Sequence, residues 1–214
     1  MTIASHLKVI QTSLPKEVTL VAVSKKKTNT AILEAYQAGQ RIFGENKVQE
    51  LAQKAEELPR DIAWHMIGHL QTNKVKFIAP FISLIHGVDS LKLLNEINKR
   101  ALQNNRIIDC LLQVHIASES TKFGFGINEV ESTLHSAKKF ENIKIAGLMG
   151  MATFTDDTQQ VSQEFKSLKT VFDSMKNDHI TTLSMGMSGD YNLAIEQGST
   201  MIRVGSAIFG HRKK

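Results

Sequence analysis

The chain has 214 residues, 42% of them hydrophobic and 22% charged, a length and composition suited to one α/β domain with its own core. Its formal charge is +5, but the 26 Lys and Arg are interspersed with 21 acids, and two Tyr and one Trp offer little surface for base stacking, so no specific nucleic-acid partner is expected. No apolar run approaches the length that spans a bilayer, so no membrane association is expected either.

From the N-terminus, MTIASHLKVIQTSL lacks the basic segment, apolar core and cleavage site of a signal peptide. A helix is expected there, ahead of a first strand over 19–25, TLVAVSK. The stretch TNTAILEAYQAG then predicts a helix with Thr28 or Asn29 as N-cap and Gly39 as its stop. A second strand follows over 41–45. A helix from Asn46 to the residue before Pro59 sets Val48, Leu51, Ala55 and Leu58 on one face. Third and fourth strands are expected over 63–68 and 82–88. The next helix starts at Ser90, with Leu91, Leu94, Ile97 and Ala101 at helical spacing.

The fifth strand, over 109–116, contains the single cysteine, Cys110, which reads as a buried, inert thiol. One cysteine cannot make an intrachain disulfide, so a reducing, cytoplasmic location is the expectation. INEVESTLHSAKKF predicts a helix, 143–149 a sixth strand, and TDDTQQVSQEFKSLKTVFDSMK a long helix buried through Val161, Phe165, Leu168 and Phe172. A seventh strand over 181–187, the short helix SGDYNLAIEQG and an eighth strand over 200–206 complete the pattern. Eight strand–helix units predict a single domain over 1–214, a (β/α)8 TIM-like barrel with an extra N-terminal helix. The competing open doubly wound sheet lacks its G-x-G-x-x-G after the first strand.

Chemistry in such a barrel gathers at the C-terminal ends of the strands. There the chain offers Ser24-Lys25, Glu45-Asn46, Gly68-His69, the segment from Ser184 to Ser188, and Arg203 followed by Gly205-Ser206. Hydroxyls and glycines after strands seven and eight suit a phosphate, because glycine backbone lets an anion approach closely. A lysine amine opposite a phosphate suits a phosphorylated carbonyl compound held as a Schiff base, either pyridoxal phosphate or an aldolase-type sugar phosphate. Of the three consecutive lysines, Lys25 shares strand parity with Val21 and Val23, whereas Lys26 and Lys27 read as solvated turn residues.

AVSKKKT, FGENKVQE, WHMIGHLQTNKVK, IHGVDSLKL, SMGMSGD and STMIRVGSAIFG together resemble the pyridoxal-phosphate homeostasis protein family, whose fold resembles the barrel domain of bacterial alanine racemase. The resemblance implies pyridoxal 5'-phosphate (PLP) as cofactor, in Schiff-base linkage to the lysine after "VS", which is Lys25. It also implies phosphate contacts at Ser184, Gly205 and Ser206, a pyridine-ring contact from Arg203, and Asn46 lining the pocket. The implied function is a non-enzymatic carrier that buffers PLP and delivers it to other proteins, with apo PLP-dependent enzymes as candidate recipients. The alternative is a PLP-dependent amino-acid racemase or a related enzyme. The family usually reads SKTKP where this chain has Ser24-Lys25-Lys26-Lys27-Thr28, so Lys26 adds a positive charge beside the Schiff-base lysine. GLMGMAT also departs from the usual sixth-strand ending, where a threonine commonly follows the methionine.

Other residues read more plainly. His65 and His69 stand four apart, but the segment reads as strand and lacks the glutamate of a zinc helix, so no metal is expected. Glu45 reads as a solvated or lysine-paired carboxylate, Lys122 as either a loop residue or a cofactor neighbour, and Arg212 to Lys214 as a frayed tail. Racemisation needs acid–base groups on both faces of the carbanion. In alanine racemase the tyrosine for the second face comes from an additional C-terminal domain, which this chain, ending after IFGHRKK, is expected to lack. Tyr191 alone of the two tyrosines falls near the expected active face, and its place at a helix start does not match the family role of a base, so turnover is not expected. A monomer is the default, since no long exposed apolar stripe stands out.

Overall fold

A computed structural model describes residues 2–119 and 123–210. Eight parallel strands close in chain order: β1 Thr19–Val23, β2 Ile42–Glu45, β3 Ala63–Met66, β4 Leu84–Val88, β5 Ile108–Val114, β6 Ile143–Gly150, β7 Thr182–Met187 and β8 Met201–Val204. β8 pairs back on β1, with Leu20 opposite Ile202 and Val21 opposite Arg203. The expected barrel, with its added N-terminal helix, is present.

The helices are α1 Ile3–Ser13, α2 Asn29–Gln37, α3 Val48–Glu57, α4 Leu91–Gln103, α5 Val130–Ala137, α6 Thr158–Met175, α7 Tyr191–Glu196 and α8 Ser206–Phe209. Their starts follow from local hydrogen-bonding chemistry. The hydroxyls of Thr28 and Ser90 accept from the amides of Ala31 and Leu93, and the Asp157 carboxylate accepts from Gln159 and Gln160, each satisfying amides that the helix itself cannot. The predicted periodicity holds on α6, where Val161, Phe165, Leu168 and Phe172 are all buried.

Strand alternation sorts the core into two layers. Ala22, Phe43, Trp64, Ile85, Leu112, Leu148 and Ile202 pack outward against the helices. Val21, Leu84, Leu111, Ala146, Met149 and Met201 fill the barrel interior. Among the described residues no helix is long and apolar enough to cross a membrane.

Three local differences from the sequence expectation matter. β1 ends at Val23, so Lys25 belongs to the turn that follows rather than to the strand. The crossover from β3 to β4 is a 3-10 helix over Thr72–Phe77 that sequence periodicity did not predict. It buries Val75 alone and is followed closely by Pro80, leaving no apolar stripe to stabilise a full α-helix. β8 ends at Val204, and Ser206 starts the short α8.

Candidate functional site at the barrel mouth

The candidate residues fall on four consecutive strands, β7, β8, β1 and β2, with Lys25, Asn46, Gly205 and Ser206 just beyond the strand ends and Ser184 and Arg203 within β7 and β8. The three-lysine turn is the most tightly held of them. Ser24 N donates to Gly44 O at 3.0 Å, and Lys27 N closes the turn on Ser24 O at 3.0 Å. Ser24 Oγ donates to Glu45 Oε1 at 2.7 Å. Behind the turn, Lys54 of α3 donates from Nζ to Ser24 O at 2.9 Å and to both Glu45 Oε1 and Glu50 Oε1 at 2.7 Å. Glu50 Oε1 in turn accepts from the Lys26 amide at 2.5 Å. Lys25 is half-buried at the centre of this clamp, and Lys26 is exposed with φ 60°.

Lys27 corrects its expectation as a solvated residue. Its Nζ donates to the carbonyls of Phe209 and Gly210 at 2.9 and 3.1 Å, tying the β1 turn to the end of α8. Glu45 is fully buried and paired with Lys54, and burial raises its carboxyl above the usual range against the opposing pull of Lys54 and Ser24.

The β8–α8 turn approaches β1 at van der Waals range. A Cβ on Gly205 would lie 3.2 Å from Val23 O and 3.3 Å from Val23 Cβ. Gly205 N donates to Ser188 Oγ at 3.1 Å. Gly205 and Ser206 therefore stand beside the Lys25 turn, with the Ser188 hydroxyl against Gly205 N, while Ile208 N and Phe209 N already donate to Gly205 O.

Ser184 lies elsewhere. It is fully buried inside the barrel, where its hydroxyl accepts from Arg203 Nη1 at 2.6 Å and lies 3.1 Å from His86 Nδ1. The reason is a register shift in β7 against β8 between Ser184 and Met187, centred on Gly186 at φ 97°. This bulge turns the following residues, so Ser188 reaches Gly205 while Ser184 faces inward.

Arg203 points into the same interior. Nη1 also donates to Ser184 O at 2.9 Å, and Nη2 donates to Gly150 O at 3.0 Å. Burial lowers its guanidinium to about 10, with Asp190 opposing, so it stays charged at neutral pH. Beneath it His86 Nε2 is 3.0 Å from His65 Nδ1. Burial lowers His65 to about 4 and His86 well below the ordinary value, the latter with help from His65 and Arg203.

The residues can hold a phosphorylated aromatic aldehyde on two structural grounds. Asn46 Oδ1 at the end of β2 is buried without a hydrogen-bond partner among the described residues. The Gly205 turn forms a cradle that a side chain would fill. His65 and His69 diverge. His69 Nδ1 is 3.0 Å from Asp89 Oδ2, and its ring stacks on Phe123 at 4.1 Å. Cys110 is buried, and burial raises its thiol. Lys122 and the tail residues Arg212 to Lys214 lie outside the described residues.

Sequence reading missed Lys54, Glu50 and His86. Strand alternation from Leu84 places His86 on the interior face and was the available signal. For Lys54 there was none, because one lysine in an amphipathic helix resembles any other solvated lysine.

The family model for the N-terminal domain of alanine racemase matches residues 1–213. The pyridoxal phosphate homeostasis protein of Vibrio alginolyticus is 40% identical over 205 residues, spanning 92% of this chain and 88% of the relative. PipY of Synechococcus elongatus PCC7942, solved with PLP bound, superposes with a TM-score of 0.89 at 35% identity, covering 98% of this chain and all of PipY. Alanine racemase of Clostridium difficile 630 shares the fold, with a TM-score of 0.81 at 14% identity over 57% of its own length.

Proposed function

The chain belongs to the alanine racemase N-terminal domain family, among relatives named pyridoxal phosphate homeostasis proteins, and on that premise we propose that it binds PLP in the cytoplasm and takes part in PLP homeostasis as a monomeric carrier. When bound, PLP supplies an electrophilic aldehyde and a phosphate dianion. Lys25 is the residue to bond the aldehyde carbon through its amine. Gly205, Ser206 and Ser188 are placed to receive the phosphate, Arg203 to face the pyridine nitrogen, and Asn46 to close the pocket at β2.

One observation carries this reading. The rigidly clamped Lys25 turn and the Gly205 cradle sit on adjacent strands, with the cradle pressed against Val23 O. An amine and an anion cradle on neighbouring strand ends suit a short ligand bearing both a carbonyl and a phosphate. A guanidinium at the ring nitrogen has no acceptor capacity, so it leaves that nitrogen unprotonated and weakens the electron sink that carbanion chemistry requires.

The test is to load the protein with PLP, reduce with borohydride, digest, and map the pyridoxyl adduct. The expected adduct is on Lys25. An adduct mainly on Lys26, Lys27 or Lys122 overturns the assignment, and absence of any adduct or absorbance band overturns PLP binding through a Schiff base.

The carrier is expected to turn over no amino acid. The Tyr36 hydroxyl donates to Asp61 at 2.8 Å on the outer side of the barrel, and Tyr191 starts α7 packed against the core. Holoprotein incubated with L-alanine and other amino acids should show no net inversion. Turnover that disappears in Lys25→Ala would replace the carrier reading with the enzyme alternative. Delivery to apo-enzymes is checked by mixing holoprotein with a PLP-dependent apo-enzyme and following its activation against an equal amount of free PLP.

A further inference from the structure

Four buried side chains form one continuous polar chain on the inner wall of the barrel: Arg203, Ser184, His86 and His65. The cofactor reading uses only the Arg203 end of it. The direction of hydrogen bonding along this chain follows from counting donors and acceptors. Arg203 can only donate, so Ser184 Oγ accepts from Nη1. The Ser184 hydroxyl proton then needs an acceptor of its own, and among the described residues His86 Nδ1 is the one in reach. Were His86 to carry its proton on Nδ1 instead, both nitrogen and guanidinium would donate to Ser184, and a fully buried hydroxyl proton would be left unmet. His86 therefore holds its proton on Nε2 and donates to His65 Nδ1 at 3.0 Å. Each hydroxyl or imidazole between the ends gives one hydrogen bond and takes one, the arrangement in which such bonds strengthen one another.

Arg203 depends on this chain more than a surface arginine would. Its hydrogen-bond acceptors are Ser184 O, Ser184 Oγ and Gly150 O, with no carboxylate among them. Both Nη1 hydrogens and one Nη2 hydrogen are thus engaged. Nε–H and the second Nη2–H have no acceptor among the described residues, and these are the donors left for a ligand. Which way they point is decided by where Nη1 is held.

We propose that His86 is a positioning residue for the cofactor ring: by accepting a hydrogen bond from the Ser184 hydroxyl at Nδ1, it turns the Ser184 lone pair to Arg203 and fixes the guanidinium that faces the pyridine nitrogen. The proposal rests on the cofactor reading above. The groups facing His86 are His65, Ser184 and Arg203; burial keeps both imidazoles neutral, with the Arg203 charge adding to this at His86, as an acceptor at Nδ1 requires.

The test uses the full chain in two states. In cofactor-free protein, 15N correlation spectra of the imidazoles at pH 7 should show His86 and His65 as neutral Nε2–H tautomers, and a proton on His86 Nδ1 overturns the proposal. In protein titrated with PLP, His86→Leu and Ser184→Ala should each weaken binding roughly tenfold, the loss of one hydrogen bond serving a charged group. Each should also move the absorbance maximum of the bound cofactor. The double variant should lose no more than either single one, because the two act in series. His86→Asn, which keeps an acceptor oxygen near Nδ1, should recover most of the affinity and the spectrum. A folded His86→Leu with parental affinity and spectrum overturns the proposal, as do additive losses in the double variant. Should His86→Leu not fold, Ser184→Ala decides by the same two readouts. If the parent itself takes up no PLP, the cofactor reading falls and this proposal with it, a result distinct from an unaffected variant of a parent that binds.

Discussion

Lys54 Nζ donates to the backbone carbonyl of Ser24 at 2.9 Å, so a buried ammonium on α3 holds the residue directly before Lys25. The same ammonium neutralises Glu45, whose Oε1 anchors the Ser24 hydroxyl. The turn's geometry thus hangs on one cation and two carboxylates that touch no ligand. Lys54→Met should strand the buried Glu45 carboxylate and cost about 3–5 kcal/mol of stability, read by urea denaturation. Adding Glu45→Gln should recover a large part of that loss. Additive destabilisation in the double variant would argue against this pairing.

The phosphate reading separates Ser188 from Ser184. Ser188→Ala removes the hydroxyl beside Gly205 N, and Gly205→Val blocks the cradle against Val23. Both should weaken PLP by about 1.5–3 kcal/mol while changing the affinity for pyridoxal, which has no phosphate, far less. Ser184→Ala should weaken PLP and pyridoxal alike, because its hydroxyl holds Arg203, the proposed ring contact. Titrations with the two ligands compare these patterns directly, and equal loss of pyridoxal binding in Ser188→Ala would remove Ser188 from the phosphate site.

Lys26 and Lys27 should respond oppositely to mutation. Lys26 is exposed with φ 60°, a left-handed backbone that glycine adopts without a Cβ clash. Lys26→Gly should therefore raise stability by roughly 1 kcal/mol. Lys27→Met removes two hydrogen bonds to the end of α8 and should lower stability by about 1–2 kcal/mol. Thermal melts of the two variants beside the parent give the signs.

Stability should fall in mild acid through His65. Burial lowers its folded-state value from 6.5 to about 4, so the unfolded chain binds a proton first as pH drops. The loss begins near pH 6.5 and is complete near pH 4, on the order of 3 kcal/mol for this group. Glu45 opposes it, since its folded-state value is raised and the folded protein takes up that proton before the unfolded chain does. His65→Leu should flatten the slope between pH 6.5 and 4 in denaturant titrations, and an unchanged slope would mean the imidazole is not the group responsible.

The barrel was legible because eight strands covered on both faces alternate with amphipathic helices, a pattern that local propensity and burial impose together. Lys25 was singled out by extending the parity of the strand, whereas β1 stops at Val23 and Lys25 lies in the turn that follows. The turn at Gly205 and Ser206 could be read because a strand followed by glycine and serine marks a tight turn in any setting. The inward placement of Ser184 and the contact of Ser188 with Gly205 could not be read, because the bulge at Gly186 breaks the parity that a sequence argument counts on. Nor could the partnership of Lys54 with Ser24, or of His86 with Ser184, 98 residues away. A sequence shows which side chains are polar and which face of a strand they occupy. It does not show which distant group compensates the desolvation of each once barrel closure has excluded water, and that compensation is decided only when the eighth strand meets the first.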